Sequence, residues 1–294
     1  MKDKMIYALG FFDGVHLGHQ ALLDACGKMA RELGATPGVV TFIGHPDTLV
    51  AGKTQPLINT AADRERLLRS YAMERVETLN FDRALMKMPW EEFFAMLLDM
   101  GAAGLVCGQD FRFGHKGAGN AEKLQAACRQ AGIPCTVVED RKLDGVRISS
   151  SHIRTLLEAG EMEEANRFLG HPHILTGEVV PGRQLGRTIG IPTANLQLPK
   201  ELLTPAFGVY ACRARVEGKS YMAVTNIGTR PTVNGHHVTV EPWLLDFDGD
   251  LYGKTLTLEF HKFLRCEKKF PDLEALRREI LKNEAEVRKL FANS

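Results

Sequence analysis

Short apolar segments alternate with amphipathic ones through the first half of the chain, and this alternation constrains the fold more than any other feature. Four helices are predicted to follow the strands: one stops at Gly34, one begins after Thr60 as N-cap, one has Pro89 in its first turn, and one covers AEKLQAACRQAG. Strands alternating with helices predict a parallel sheet with helices on both faces. The five predicted strands are MIYALGF, TPGVVTFI, VETLNF, AGLVCG and PCTVVED.

The second half has a different pattern, because Gly, Pro and Asn separate its strands and no helix lies between them. This pattern predicts an antiparallel Greek-key β-barrel, followed by a terminal amphipathic helix at DLEALRREILKNEAEVRKLF. Two short helices are predicted between the halves, and we place the domains at residues 1–170 and 171–294. The predicted barrel strands are GEVVPG, GVYACRARVEG, KSYMAVTNIG, VTVEPWLLDF and KTLTLEFHKFL.

Composition narrows the classes of partner. The 294 residues are 44% hydrophobic and 25% charged, with a net charge of +1, which gives no reason to expect a nucleic-acid or membrane partner. The first residues do not resemble a signal peptide, and no segment has the apolar length of a membrane span. Six scattered cysteines without a Cys-x-x-Cys pair argue against a structural zinc site or a disulfide framework. A reducing cytoplasm is the simplest setting.

The segment GFFDGVHLGHQALL, residues 10–23, places His16 and His19 where the first strand gives way to a helix. Three interpretations stay open on spacing alone. Imidazoles at a helix N-terminus can bind phosphate, because backbone amides there favour anions. A metal site would need further ligands, of which only His45 is close in sequence. The histidines can also simply cap and fill a turn.

Two further segments of the first half carry polar groups. In ISSSHIR, serines precede a helix and are ordinary N-caps, but Arg154 near that helix start is better placed if it faces a phosphate. In CGQDFRFG, Asp110 and Phe111 follow a strand in a Gly-rich loop. Such loops are often without function, although paired aromatic rings beside polar groups can hold a flat ligand.

Taken together, GFFDGVHLGH, TFIGHP, CGQDFRFG and ISSSHIR resemble, in this order, the motifs of the FMN adenylyltransferase module. That module belongs to the nucleotidyltransferases that carry the His-x-Gly-His motif. The resemblance implies that His16, His19 and Arg154 stabilise charge at the α-phosphate of ATP while the FMN phosphate attacks it. It also implies a set of nucleotide- and flavin-binding residues: Gly10, Phe12, Asp13, Gly14, Gly18, Asp110, Phe111, Ser150 and Ser151.

The second half contains GEVVPGRQLGRTIGIPTANL, residues 177–196. Its glycines and arginines fit either a loop that covers a polyphosphate or an ordinary Gly-rich hairpin with solvated arginines. Thr193 and Asn195 offer oxygen ligands for a hard cation. Glu241 lies in a predicted strand, either as a solvated side chain or as a general base. Asp246, Asp248 and Asp250 mimic a calcium loop, but we interpret them as turn formers.

This half resembles the riboflavin kinase module through GEVVPGRQLGRTIGIPTANL, GVYACRA, TNIGTRPTV and VEPWLLDFDGDLYGK. The two resemblances cover nearly the whole chain, in the order of the prokaryotic bifunctional riboflavin kinase/FAD synthetases. They imply that riboflavin, ATP and Mg²⁺ give FMN and ADP, and that FMN and ATP then give FAD and pyrophosphate. Implied kinase residues are Gly182, Arg183, Gly186 and Arg187 over ATP, Thr193 and Asn195 at Mg²⁺, Glu241 as base and Arg265 near the flavin.

The chain departs from the pattern of these families at three places. Gly44 replaces the proline before His45, and Ser151 replaces a threonine. Pro242 and Trp243 stand where the kinases commonly have a small residue and then a histidine. Because proline lacks a backbone donor, Pro242 is expected at a strand edge or bulge and could displace Glu241. The alternative is therefore an enzyme with one active domain, the adenylyltransferase.

Overall fold

The computed structural model describes residues 3–44, 55–182, 186, 190–232 and 235–292, without the side chains of residues 230–237. The described chain divides into two compact units, Met1–Ser150 and Ser151–Ser294. A five-stranded parallel sheet forms the centre of the first unit, in the order β3-β2-β1-β4-β7. Its strands are β1 (Met5–Leu9), β2 (Thr36–Ile43), β3 (Arg75–Asn80), β4 (Ala102–Gly108) and β7 (Cys135–Val138).

All five strands of this sheet and the four main helices between them were predicted from the pattern, and these predictions are confirmed. The helices are α1 (Leu17–Leu33), α2 (Ala61–Ser70), α3 (Arg83–Lys87), α4 (Trp90–Asp99) and α5 (Ala121–Ala131), of which only α3 was not predicted. Two short hairpins, also not predicted, complete the unit. They are β5 (Arg112–Phe113) with β6 (Gly119–Asn120), and β8 (Lys142–Leu143) with β9 (Val146–Arg147).

Strand β1 shows why the sheet is buried on both faces. Its side chains alternate, so that Ile6 and Ala8 pack with α1 residues in one apolar cluster. Tyr7 and Leu9 point the other way, into a second cluster that includes Leu97 of α4. Helix α1 begins at the His16 N-cap and ends at Gly34, which adopts the left-handed conformation with φ of 58°. Successive residues of β1 are therefore apolar because both faces of the sheet are buried.

The second unit contains a closed six-stranded barrel in the order β10-β11-β14-β13-β12-β15, in which all neighbouring strands pair antiparallel. The predicted antiparallel barrel is confirmed, but β11 was not predicted as a separate strand, since it has only three residues and follows a Pro-containing segment. The strands are β10 (His173–Val180), β11 (Asn195–Gln197), β12 (Gly208–Val216), β13 (Lys219–Thr232), β14 (Gly235–Leu244) and β15 (Thr255–Cys266).

Three of the helices that the structure describes accompany the barrel, and all three were predicted: α6 (Ser150–Ala159), α7 (Met162–Leu169) and α8 (Leu273–Ala292). Val287 and Phe291 of α8 pack against Val209 and Val224 of the barrel. Arg288 of α8 also forms a bidentate ion pair with Asp246, at 2.7 and 2.8 Å. Apolar packing and this ion pair together hold α8 against the barrel wall.

The boundary predicted at 170/171 stays a prediction. The two compact units divide before Ser151, so that α7 and nearly all of α6 belong to the barrel unit. Contacts within that unit explain the division, because Ala206 N donates to Leu157 O at 3.0 Å and Asn166 Nδ2 donates to Phe260 O at 2.7 Å. Among the described helices, none is both long enough and apolar enough to cross a membrane.

His173 at the start of β10 predicts how acid weakens the barrel. Its buried ring has no hydrogen-bond partner on either nitrogen within the part of the chain that the structure describes, and burial lowers its pKa to about 3. The unfolded chain takes up a proton below pH 6.5, whereas the native ring does not until about pH 3, so stability falls as the pH falls through this window. We expect wild type to lose about 2 kcal/mol more than His173→Leu between pH 7 and pH 5. Urea unfolding of the full chain measures this, and parallel losses in the two proteins would contradict it.

Candidate active sites

The His-x-Gly-His segment lies at the carboxyl end of β1, beside the carboxyl end of β4. The strand order reverses between these two strands, which is where open α/β sheets bind ligands. Its backbone is tightly turned, since Phe12, Gly14 and Val15 have positive φ of 59°, 83° and 42°. For Phe12 and Val15 this conformation is strained, and such strain persists where surrounding packing enforces it. Both side chains are fully buried in the cluster beneath the loop.

His16 caps α1, so the structural interpretation of this histidine holds whatever else it does. Its Nδ1 accepts a hydrogen bond from the His19 backbone N–H at 3.2 Å. The two imidazoles stack, with ring centroids 3.6 Å apart. Gly18 permits this approach, because a β-carbon there would lie 3.1 Å from Cε1 of His16. With Nδ1 accepting, a neutral His16 carries its proton on Nε2.

His19 is held in its neutral form. Burial, the neighbouring His16 and the cationic Arg64 lower its pKa well below the usual value. Its Nδ1 is buried and has no partner among the described residues. Within the same described part of the chain, no three His, Cys, Asp or Glu side chains converge as a metal site. A neutral imidazole with unused hydrogen-bonding capacity is suited to a polar ligand.

Asp13 and Ser150 organise the loop. A carboxylate oxygen of buried Asp13 accepts hydrogen bonds from the backbone N–H groups of Ile58 and Asn59, at 2.9 and 3.3 Å. The Ser150 hydroxyl donates to the Asp13 carbonyl oxygen at 2.9 Å. These contacts fasten the segment before α2 and the start of α6 to the His-x-Gly-His loop. The prediction that Asp13 and Ser150 bind nucleotide or flavin is untested by them.

Two buried polar residues near this loop were not found from the sequence. Arg64 of α2 donates to Phe42 O at 2.6 Å and lies over the Phe11 ring at 4.5 Å, while its Nη1 has no partner among the described residues. Asn59 is 1% exposed, and neither atom of its amide is paired there. A buried polar group without a hydrogen-bond partner costs folding free energy. The unpaired atoms of Arg64 and Asn59 therefore indicate that a polar ligand binds beside them. No local pattern distinguishes Arg64 from the three other arginines between residues 64 and 75.

The loop after β4 brings Asp110 and Phe111 to the same edge of the sheet. Phe111 stacks on Phe113, with centroids 5.4 Å apart. Asp110 is largely exposed and pairs with Arg147 at 2.6 Å. Phe111 therefore offers an aromatic face, while Asp110 is already engaged by a cation. Gly10 directly follows β1 at this edge of the sheet. A β-carbon at Gly10 would lie 3.1 Å from the Phe12 ring.

Ser151 and Arg154 lie on α6, in the part of that helix that belongs to the barrel unit. Arg154 is 8% exposed, and Ser151 is exposed. Their predicted roles at the phosphates stay predictions. His45 and Pro46 of the TFIGHP motif lie outside the described residues, as do Arg183 and Arg187 of the Gly-rich loop.

The barrel unit contains a pocket of about 390 Å³ between the barrel wall and α8. This volume lies within the range of small-molecule sites. The pocket brings together five of the residues predicted for the kinase: Gly186, Thr193, Asn195, Glu241 and Arg265. Its apolar surface comes from Val209, Val224 and Trp243 on the barrel and from Leu273, Leu276, Ile280 and Phe270 on or near α8. A flat apolar molecule with a polar tail fits such a lining.

Gly182 and Gly186 lie close to the segment of residues 191–195, which a larger residue at either position would not allow. A β-carbon at Gly182 would collide with the Asn195 amide, and one at Gly186 would collide with the Ile191 carbonyl oxygen. The Ile191 N–H donates to Gly186 O at 2.8 Å. The close fit explains why this segment needs glycine at both positions, and it leaves the Thr193 hydroxyl and the Asn195 amide at the pocket wall.

Pro242 does not displace Glu241. The β13–β14 register is continuous, with Glu241 opposite Asn226 and Pro242 opposite Thr225. The edge or bulge expected at Pro242 is not found, because β14 lies between β13 and β11 in the closed barrel and its register with β13 shows no shift there. On the other side β14 pairs with β11 only at Val240, and the Pro242 carbonyl oxygen accepts a hydrogen bond from Ala194 N at 2.9 Å. Glu241 and Trp243 are two residues apart on one strand and so share the face that lines the pocket.

Arg265 lies in a network of charges at the other side of this pocket. Its Nε donates to Asn283 Oδ1 at 3.1 Å, and its guanidinium lies 3.6 Å from the Glu279 carboxylate and 5.7 Å from the Phe270 ring. Burial lowers the pKa of Arg265, and Glu279 opposes that shift. A guanidinium fixed in this way is preorganised to contact a polar edge of a bound ring.

A second pocket of about 340 Å³ shares Thr193 with the first. It extends from Gly190 and Pro192 to the 247–252 loop, where the Tyr252 N–H donates to Asp250 Oδ1 at 3.0 Å. The interpretation of Asp250 as a turn former is confirmed by this bond. Asp246 instead holds α8 through Arg288. Two pockets that share one lining residue are suited to two substrates that exchange a group.

Comparison with known families gives the class of each domain. A family model described as FAD synthetase matches residues 1–152, and one described as Riboflavin kinase matches residues 169–291. The parallel sheet thus belongs to the FAD synthetase domain and the closed barrel to the riboflavin kinase domain of a two-domain flavin nucleotide-forming transferase. The linking helices between residues 152 and 169 fall outside both matches.

Full-length relatives then give the family. Bifunctional riboflavin kinase/FMN adenylyltransferases from Pseudomonas fluorescens, Escherichia coli K12 and Bacillus subtilis are 38%, 36% and 35% identical, over 98–99% of this chain and 93–94% of theirs. The chain belongs to the bifunctional riboflavin kinase/FMN adenylyltransferase family. A crystal structure described as a macrolide-efflux protein from Streptococcus pneumoniae superimposes with a TM-score of 0.87 at 31% identity, covering 98% of this chain and 95% of that one.

Proposed function

We propose that the barrel unit phosphorylates riboflavin to FMN with ATP, and that the sheet unit joins AMP from a second ATP to FMN, giving FAD and pyrophosphate. The observation that carries the kinase half is the meeting of two pockets at Thr193, with Glu241 in the first. Riboflavin fits the larger, apolar pocket against α8, and ATP fits the pocket bounded by the 247–252 loop. Two pockets that share Thr193 support a mechanism in which the hydroxyl acceptor and the phosphoryl donor bind side by side.

Each residue at the junction then has a separate task. Glu241 accepts the proton of the ribityl hydroxyl as that oxygen attacks the γ-phosphorus, and Asn226 opposite it is positioned to contact the same polar tail. The loop of residues 182–190 is proposed to cover the phosphates of ATP, with Gly182 and Gly186 allowing its close approach. Arg183 and Arg187 on that loop are proposed to neutralise the phosphate charge. Arg265 contacts a polar edge of the isoalloxazine ring.

The donor set at the junction suits Mg²⁺. The Thr193 hydroxyl and the Asn195 amide carbonyl are hard oxygen ligands, and both line the pocket that holds Glu241. We propose that these two residues hold the ion, which when bound would neutralise the negative charge of the phosphates. The protein contribution is positioning, since phosphoryl transfer depends mainly on alignment and on electrostatic stabilisation.

For the adenylyl transfer, the FMN phosphate is itself the nucleophile. The role of the protein is therefore to bind the substrates and to stabilise the charge that develops during the reaction. His16, His19 and Arg154 are proposed to stabilise the charge that grows at the α-phosphate, helped by the N-terminal amides of α1. Arg64 and Asn59 join them, because both have unused hydrogen-bonding capacity beside the loop. Phe111 offers a face for a ring, and Gly10, Phe12, Asp13, Gly14, Gly18, Asp110, Ser150 and Ser151 shape or contact the nucleotide.

The setting we propose is the cytoplasm. All six cysteines are free thiols, which fits a reducing compartment. The partners are small molecules: riboflavin, FMN and ATP. The domain assignment that goes with this function is residues 1–170 for the adenylyltransferase and 171–294 for the kinase. An enzyme with only one active domain finds no support in the register of β14, which keeps Glu241 in the pocket.

Trp243 provides a test of the riboflavin pocket that is independent of turnover. An indole at the wall of the pocket contributes aromatic contact, worth about 1.4 kcal/mol or a tenfold change in Kd. We expect Trp243→Ala to bind riboflavin about tenfold more weakly, and Trp243→Phe to bind within threefold of wild type. Calorimetric titration measures both affinities. Unchanged affinity in Trp243→Ala would place riboflavin elsewhere.

The direct experiment supplies each substrate in turn to the purified full chain with ATP and Mg²⁺. Riboflavin should give FMN and then FAD, and FMN should give FAD without passing through riboflavin. Separation of the flavins by chromatography follows both steps. If riboflavin gave no FMN, the kinase half of the proposal would be wrong. If FMN gave no FAD, the adenylyltransferase half would be wrong.

A further inference from the structure

Three buried polar side chains around the His-x-Gly-His loop have hydrogen-bonding capacity that no described residue uses. The atoms concerned are Nδ1 of His19, Nη1 of Arg64 and both polar atoms of the Asn59 amide. Arg64 is 2% exposed and Asn59 is 1% exposed, so neither side chain is solvated. A buried charge or amide that stays unpaired costs folding free energy, and a bound ligand that completes its hydrogen bonds removes that cost.

The guanidinium of Arg64 is held against the loop and keeps one donor for a ligand. Its Nη2 donates to Phe42 O at 2.6 Å, near the end of β2, and its Cζ lies 4.5 Å from the centre of the Phe11 ring. The adjacent buried carboxylate, Asp63, accepts from Arg66 Nη2 at 2.6 Å. Nη1 of Arg64 is thus a charged donor without a partner among the described residues, which suits an anion.

The Asn59 side chain requires a different kind of partner. Its backbone N–H donates to Asp13 Oδ1 at 3.3 Å, beside the same contact from the Ile58 N–H at 2.9 Å, and this fastens the residue to the loop. Its amide still has a donor and an acceptor, neither of them paired within the described chain. A ligand that satisfies Asn59 must therefore offer both a hydrogen-bond acceptor and a hydrogen-bond donor.

These requirements distinguish the phosphates of the adenylyl transfer. The pyrophosphate end of ATP offers acceptor oxygens only and would leave Oδ1 of Asn59 unpaired. The α-phosphate, proposed above to lie at the histidines and the α1 amides, is esterified to a ribose whose C4′ carries no hydroxyl. The phosphate of FMN is esterified to a ribityl chain whose C4′ does carry one. FMN therefore presents acceptor oxygens and a donor side by side, next to its negative charge.

We propose that Arg64 and Asn59 bind the ribityl phosphate of FMN and hold it as the nucleophile, an inference that rests on the adenylyltransferase function proposed above. Arg64 Nη1 and Asn59 Nδ2 donate to phosphate oxygens, and Asn59 Oδ1 accepts from the 4′-hydroxyl. A phosphate oxygen of FMN then forms a bond to the α-phosphorus of ATP. The bond from that phosphorus to the bridging oxygen breaks, and its electron pair leaves with pyrophosphate. The guanidinium offsets the repulsion between the two phosphates as they approach.

Arg64→Met tests the charge, because methionine keeps much of the apolar stem and removes the guanidinium. Calorimetric titration of FMN into the full chain, without ATP and with riboflavin present to occupy the barrel pocket, reports on the sheet unit. We expect FMN to bind about 10- to 100-fold more weakly than to wild type. In FAD synthesis the KM for FMN should rise by a similar factor, while the KM for ATP stays within twofold of wild type.

Arg69→Met is the matched control. Arg69 lies on the same helix, its side chain is 51% exposed, and its pair with Glu65 is a surface interaction worth little. This variant should bind FMN as wild type does. Unchanged FMN affinity in Arg64→Met, or a rise in the KM for ATP in place of the KM for FMN, would overturn the proposal. Wild type that binds FMN but forms no FAD would contradict the proposed function instead.

Asn59→Ala tests the second contact with an FMN analogue that lacks the 4′-hydroxyl. In wild type, loss of this hydroxyl leaves Asn59 Oδ1 unpaired and should weaken binding about tenfold. In Asn59→Ala the same loss should change the affinity less than threefold, because the acceptor is already gone. An equal cost in both proteins would overturn the role of Asn59. This comparison decides the proposal even if Arg64→Met fails to fold.

Discussion

His19→Ala is expected to abolish most FAD synthesis while FMN synthesis continues at its normal rate. Loss of one preorganised group that stabilises transition-state charge typically lowers kcat about 100- to 1000-fold. His19 is the sharper choice of the two histidines, because His16 also caps α1 and its removal would cost about 1 kcal/mol of helix stability. The measurement is the rate of FAD formation from FMN, beside the rate of FMN formation from riboflavin.

His115→Ala is the matched control, because His115 is an exposed histidine of the same unit that lies outside the proposed site. It should leave both rates within twofold of wild type. Equal loss of both activities in His19→Ala would show that the two sites do not act separately. A full rate of FAD formation in that variant would remove His19 from the chemistry.

Glu241→Gln is expected to have the converse effect. Glutamine keeps the size and much of the hydrogen bonding of the side chain but cannot take the proton of the ribityl hydroxyl. FMN formation should fall about 100- to 10,000-fold, the usual contribution of a general base, with riboflavin affinity little changed. Conversion of FMN to FAD should stay intact. Parallel assays of the two steps, with a riboflavin titration, separate the loss of catalysis from the loss of binding.

Glu217→Gln serves as its control. Glu217 is an exposed carboxylate on the same barrel, and its pair with Lys254 is a surface interaction worth little. This variant should form FMN at the wild-type rate. If Glu241→Gln kept that rate as well, Thr193 and Asn195 with their ion would suffice, and the assignment of Glu241 as base would be wrong.

The fold of both units could be predicted from the sequence because hydrophobic periodicity reports directly on burial. β1 is apolar at every position because both of its faces are covered, and the barrel strands are separated by Gly, Pro and Asn as turns require. Strand β11 and helix α3 were missed, since three and five residues give too short a pattern. An edge or bulge was expected at Pro242, but the closed barrel and the unshifted register show that Pro242 is accommodated within β14 and that Glu241 keeps its place.

The sites were predicted less completely, for a physical reason. Motif residues such as His16 and Thr193 are close in sequence to others of their site, whereas Arg64 and Asn59 reach theirs only through folding. Hydrogen-bond satisfaction in a buried environment is a property of three-dimensional packing, and the sequence carries no local trace of it.

The most direct test of a two-step flavin pathway on one chain is a time course with riboflavin, ATP and Mg²⁺ supplied to the wild-type protein and, separately, to Glu241→Gln. Wild type should show FMN rising first and FAD following it. Glu241→Gln should form almost no product from riboflavin but should regain FAD synthesis at the wild-type rate when FMN is added. FAD formed from riboflavin by Glu241→Gln as fast as by wild type, or no FAD after addition of FMN, would contradict the division of the two reactions between the barrel and the sheet.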